Sequence, residues 1–136
     1  MIEYAVILQI AVLASSLGGL EARVAENLSL QDGAAREVVV AEAKARRVSV
    51  AGARRAFAKA PYGLPALRAI YATGWIDGAR GRTVCLSARL SPAQLRSRTA
   101  KQLAGNARLR RSLGALRLNA KAAAAAYTRG VVAGCG

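Results

Sequence analysis

The sequence predicts a mostly α-helical protein with a small β element: a long N-terminal helix, apolar enough at its start to enter a membrane, followed by a small basic α+β body. Three observations predict it. Residues 4–20 carry no charge between Glu3 and Glu21. Apolar positions then continue at helical spacing, and the charge of the chain changes sign near residue 42. At 136 residues there is room for one domain, or for an anchor plus a small domain. The expected division is a membrane helix over 1–20, a continuing amphipathic helix over 21–60 and a basic globular region over 61–136.

The charge asymmetry is large. Residues 1–42 hold six acids against Arg23 and Arg36, a net of −4, while residues 43–136 hold nineteen Lys and Arg against Asp77 alone, a net of +18. A body this basic attracts anions of every kind: phospholipid headgroups, nucleic acid or the acidic face of a protein. The attraction by itself does not choose among them.

The first helix begins with the stretch Tyr4–Leu20, about 26 Å long at 1.5 Å per residue, slightly short of a hydrocarbon thickness of about 30 Å. It holds Gln9, Ser15, Ser16, Gly18 and Gly19, so hydropathy alone makes it a mediocre membrane span and leaves a closely packed core helix open. Leu17, Leu20, Val24 and Leu28 continue one stripe down the same helix, with Glu21, Arg23 and Glu26 on other faces. Gly33 kinks or interrupts it, and "AAREVVVAEAKARR" resumes with helix formers. One helix, broken near Gly33, is expected from about residue 2 to Lys59.

Pro61 and Pro65 frame a linker, and residues 65–73 predict a short helix ended by Gly74. "GWIDGARGRTVCLSARL" reads as a hairpin. Asp77-Gly78 supplies a favoured two-residue turn, and Val84, Leu86, Ala88 and Leu90 alternate with Thr83, Cys85, Ser87 and Arg89. Ser91, Pro92 and Gln94 read as N-cap, first helical residue and capping box of a helix reaching about Leu103. After Gly105 a further helix starts near Ala107, with Leu109, Leu113 and Leu116 on one face and Arg108, Arg110, Arg111 and Arg117 around the rest. The tract Ala122–Ala126 continues it, and "GVVAGCG" closes the chain in an extended segment.

Catalytic chemistry finds little to work with. The chain has no histidine and no acid but Asp77 after residue 42, so the basic region lacks a usual general base and paired carboxylates. No catalysis, cofactor or metal site is expected. Arg108, Arg110, Arg111 and Arg117 form a candidate basic patch able to contact phosphates without sequence preference. The two cysteines, Cys85 and Cys135, have no metal-site spacing; they suit one disulfide closing a loop of about 50 residues, or two free thiols.

The opening "MIEYAVIL", followed by a small-residue-rich apolar helix, resembles the start of Flp-type and tight-adherence pilin-like proteins. "LSLQDGAAREVVVAEAKA" is similar to the stretch after the membrane helix in TadE-like pseudopilins, where a paired alanine and an arginine recur, here Ala34, Ala35 and Arg36. The resemblance covers about residues 1–45. It implies that Glu3, beside Tyr4, pairs with a neighbouring subunit's N-terminal amine at the bilayer edge. It further implies a structural subunit of a pilus or secretion apparatus, held in the inner membrane with an extracytoplasmic body. The implied partners are membrane lipid and other pilin-like or secretion-apparatus subunits, in a homo- or hetero-oligomer. Two alternatives stand beside it: a phage or bacterial membrane-associated lysis or ejection accessory whose basic body binds anionic lipid, and a soluble basic protein that binds nucleic acid unspecifically.

Overall fold

The computed structural model describes residues 20–30, 32–81 and 91–136, and these fold into helices without a strand. The elements are α1 (Leu20–Ser29), α2 (Asp32–Ala45), α3 (Val50–Lys59), α4 (Pro65–Arg80), α5 (Pro92–Ala104), α6 (Ala107–Ala115) and α7 (Ala120–Cys135).

Helix α4 is the centre. It is apolar on more than one side, which is the pattern of a helix buried among others. Ile70 joins a core with Val24, Leu95, Leu103, Leu109, Leu113, Tyr127 and Val131, contributed by α1, α5, α6 and α7. Ala69, Ala72 and Ile76 join a second core with Ala35, Val39, Ala43, Ala53 and Phe57 from α2 and α3. The principal neighbour of α4 is α7, with α2 and α3 against it as well and α5 laid on α7.

The α4–α7 contact is a backbone seam. A Cβ at Gly74 or Gly78 would strike the main chain of α7 at Tyr127 or Val131, and one at Gly130 or Gly134 would strike α4 at Tyr71 or Trp75. Contacts advance along both helices in the same direction, so the two run parallel. Each carries the same spacing, Tyr71, Gly74, Gly78 and Tyr127, Gly130, Gly134, and each inserts its glycines against the other's carbonyls. This close approach requires glycine in the way that small-residue helix pairs do.

The breaks between helices are chemically specific. Arg47 and Arg117 are both left-handed, each with φ 56°. Val48 N–H donates to the Ala43 carbonyl at 3.0 Å and Leu118 N–H to the Leu113 carbonyl at 2.8 Å, the 6→1 bond that ends a helix in a Schellman motif. In both cases a side-chain cap follows two residues after the arginine: Ser49 accepts from Gly52 N–H at 3.1 Å, and Asn119 from Ala122 N–H at 2.7 Å. Asn106 does the same for α6, accepting from Leu109 N–H at 2.9 Å, and each such cap is worth about 0.5–2 kcal/mol. Pro61 stops α3, and Pro65 occupies the first turn of α4.

Several expectations are corrected. The expected α+β body is all-helical among the described residues. Trp75–Arg80 belongs to α4, and Asp77-Gly78 is helix interior, because Gly74 and Gly78 serve the seam and do not turn the chain. The rest of the expected hairpin, 82–90, lies outside the described residues. The expected long helix is three helices as far as Lys59, with Gly33 inside the first turn of α2. Leu116 does not extend the α6 stripe: the helix ends at Ala115 and Leu116 is exposed. "GVVAGCG" is helical to Cys135, where the α7 seam requires it.

The membrane expectation is corrected too. No helix among the described residues is long and apolar enough to cross a membrane, since polar and charged residues interrupt every one. Inner-membrane placement, membrane lipid as a partner and the anchored pilin architecture therefore find no support in the described fold. Residues 4–19 of the apolar run, with Glu3 and Tyr4, lie outside it.

Candidate anion-binding surfaces

The lone acid of the basic region is buried and held by three partners. Asp77 on α4 has no exposed side-chain surface. Tyr127 of α7 donates its hydroxyl to Asp77 Oδ2 at 2.5 Å. Arg23 of α1 reaches both Asp77 oxygens at 3.3 Å, and Arg46, just past α2, approaches Oδ1 at 3.4 Å. The same Arg23 forks onto Glu42 of α2, with Nε to Oε1 at 2.5 Å and Nη2 to Oε2 at 3.1 Å. Two guanidiniums and two carboxylates thus form a neutral buried cluster joining four helices.

Burial pushes the Asp77 carboxyl above its ordinary 3.8, opposed by the charge of Arg23, the Tyr127 hydroxyl and Arg46. Burial likewise raises the Tyr127 phenol well above 10.0, and the adjacent Asp77 charge pushes it further. For Arg23, burial acts to lower the value, but the Glu42 hydrogen bond and the Asp77 charge outweigh it and hold the guanidinium charged. Asp77 itself has no solvent-facing atom, so its carboxylate clasps α1, α2, α4 and α7 together and does not reach the surface. Sequence reasoning placed Asp77 in a turn and missed Arg23, Glu42, Arg46 and Tyr127. The available signal was the isolation of Asp77 among nineteen cations.

The surface chemistry lies elsewhere. From Pro92 to Gly136 the chain has nine cations and no acid. Arg96, Arg98 and Lys101 stand on α5, Arg108, Arg110 and Arg111 on α6, Arg117 in the following turn, and Lys121 and Arg129 on α7. All nine are exposed, and none pairs with a described carboxylate. Of the expected patch, Arg108, Arg110 and Arg111 lie exposed on α6 and Arg117 lies exposed in the turn that follows it.

A groove of about 680 Å³ opens between α4, α5 and α7. Tyr71, Pro92, Ala125 and Val132 give it apolar walls, Arg96 and Arg129 stand at it, and Thr128 lines it. Thr128 is 4 % exposed and its hydroxyl has no hydrogen-bond partner. A second cleft, of about 510 Å³, lies where the α2–α3 turn meets the ends of α4 and α7, and Arg46, Arg47, Arg55 and Arg80 line it with Trp75.

The remaining expected residues are structural where described. Ala35 is fully buried and Ala34 half-buried on α2, while Arg36 is exposed with its guanidinium 5.9 Å from the centre of the Phe57 ring. Cys135 ends α7 and is disulfide-bonded; Cys85 lies outside the described residues. Among the described residues no group of three or more His, Cys, Asp or Glu could hold a metal.

Comparison with known proteins returns no match to any protein-family model, any curated protein or any solved structure. The resemblance to TadE-like and Flp-type chains thus rests on the quoted motifs alone.

Proposed function

We propose that this protein is a non-catalytic binding module that seats an acidic protein segment in the groove between α4, α5 and α7. The observation that carries the reading is the groove at Thr128. An apolar floor, an unpaired buried hydroxyl and two arginines at one opening match a peptide presenting a carboxylate beside an apolar side chain. Arginine suits this role because its planar fork binds carboxylate in two places and is enriched where interfaces concentrate their energy. The other seven cations of the surface add long-range steering toward an acidic partner. A nucleic-acid backbone would use the same charges but has no need of an apolar groove.

The test is a titration with a peptide of alternating Glu and Leu, followed by amide chemical shifts, beside a random-sequence DNA duplex. The expected result is saturable binding of the peptide, with shifts at Arg96, Thr128, Arg129 and Val132. Arg96→Glu and Arg129→Glu should each weaken it by about tenfold or more. Thr128→Val should weaken the peptide while stabilising the free protein, since it removes a buried hydroxyl that has no partner. If the duplex binds and the peptide leaves the groove unperturbed, the nucleic-acid reading replaces this one.

A further inference from the structure

We infer that the second cleft is a discrete site for a small phosphate-bearing anion, with arginines of its own and independent of the function proposed above. Four arginines converge on it from three places in the chain: Arg46 and Arg47 from the α2–α3 turn, Arg55 from α3 and Arg80 from the last turn of α4. Arg46 is engaged by Asp77 at 3.4 Å. Arg47, Arg55 and Arg80 are exposed and pair with no described carboxylate. Gly136 also lines the cleft.

Local backbone reinforces the charge. The residues before α3, Val48 and Ser49, line the cleft together with Gly52 of its first turn, so the positive end of a ten-residue helix faces the same space. The Arg47 backbone is left-handed, closed by the 6→1 bond from Val48 to Ala43. Three guanidiniums and a helix N-terminus together match a tetrahedral dianion better than a single planar carboxylate, because each guanidinium forks onto phosphate oxygens. The cleft is larger than one phosphate requires. Trp75 forms part of its remaining wall with Ala79, Ala133 and Gly134, and its indole lies against Gly52 where any Cβ would collide with the ring. An organic group attached to the phosphate would meet that wall.

Trp75 is the only tryptophan of the chain and so reports on the cleft directly. The experiment is a fluorescence titration of the full chain with inorganic phosphate and with phenyl phosphate, at constant ionic strength set by chloride. Saturable change with a dissociation constant of about 1 mM or below is expected for at least one of them. Tighter binding of phenyl phosphate assigns a phosphate monoester as ligand, and equal binding assigns free phosphate. Arg55→Gln and Arg80→Gln should each weaken binding by about tenfold. Arg54→Gln, the same charge change one residue along α3 and outside the cleft, should leave it intact, with circular dichroism confirming that all three variants fold. A response that does not saturate, or that falls equally in Arg54→Gln, overturns the site and reduces it to general charge attraction.

Discussion

Tyr127 shows how one side chain can carry several constraints at once. Its ring fills the core between α4 and α7, its carbonyl faces Gly74 across the seam, and its hydroxyl holds Asp77. Tyr127→Phe keeps the ring and removes a hydrogen bond to a buried carboxylate, which should cost about 1.5–3 kcal/mol near neutral pH. The phenol ionises near 10.0 in an unfolded chain and well above that when folded. The folded state therefore keeps its proton where the unfolded state loses it, and this contribution to stability, complete below 10.0, fades as pH rises beyond that value. Urea midpoints for the two proteins should differ most near pH 7 and converge on the alkaline side. A gap that stays constant above pH 10 would mean that Tyr127 ionises without regard to folding.

At the scale of elements, a glycine's value depends on what its helix faces. Gly130→Ala places a methyl group against the Tyr71 carbonyl and the Trp75 amide, so α4 and α7 must separate. The expected loss is about 1–3 kcal/mol. Gly114→Ala on α6 meets nothing within 4 Å and should stabilise by about 0.5–1 kcal/mol through helix propensity alone. Thermal melts of the two variants should move in opposite directions; a shared direction would remove the seam as the organising contact. This dual use of glycine also explains how far the sequence could be read. The starts of α5 and α6 were legible because Ser91-Pro92 and Gly105 act locally, as did the stop at Pro61; the Asn106 cap of α6 went unread. Asp77-Gly78 was not legible as helix, since Asp-Gly satisfies a turn locally and only the repeat of Tyr-x-x-Gly-x-x-x-Gly at residues 127–134 hints at a paired surface. The basic surface was legible as composition. The grooves were not, because Thr128 meets Arg96 and Arg47 meets Arg80 only through packing between helices distant in sequence.

For the molecule as a whole, charge works against folding as well as toward a partner. The formal charge is +14, and the described carboxylates that could offset it belong to α1, α2 and α4, while α3, α5, α6 and α7 have none. The ion pairs of Arg23 with Glu42 and Asp77 and of Arg46 with Asp77 are largely buried and so little affected by dissolved salt. The exposed cations are screened freely, and Arg108 and Arg111 repel one another across one turn of α6. Raising NaCl from about 10 mM to about 150 mM, which shortens the screening length from about 30 Å to about 8 Å, should therefore raise the melting temperature. Arg111→Glu should raise it at low salt by converting that repulsion into an attraction, and should flatten the salt dependence. A melting temperature that falls with added salt would mean that exposed ion pairs, not repulsion, govern the surface. An acidic partner relieves the same repulsion while binding only the folded state, so it too should raise the melting temperature. Its effect should shrink as salt increases, whereas relief by salt alone should grow, and the two curves measured together separate docking from screening.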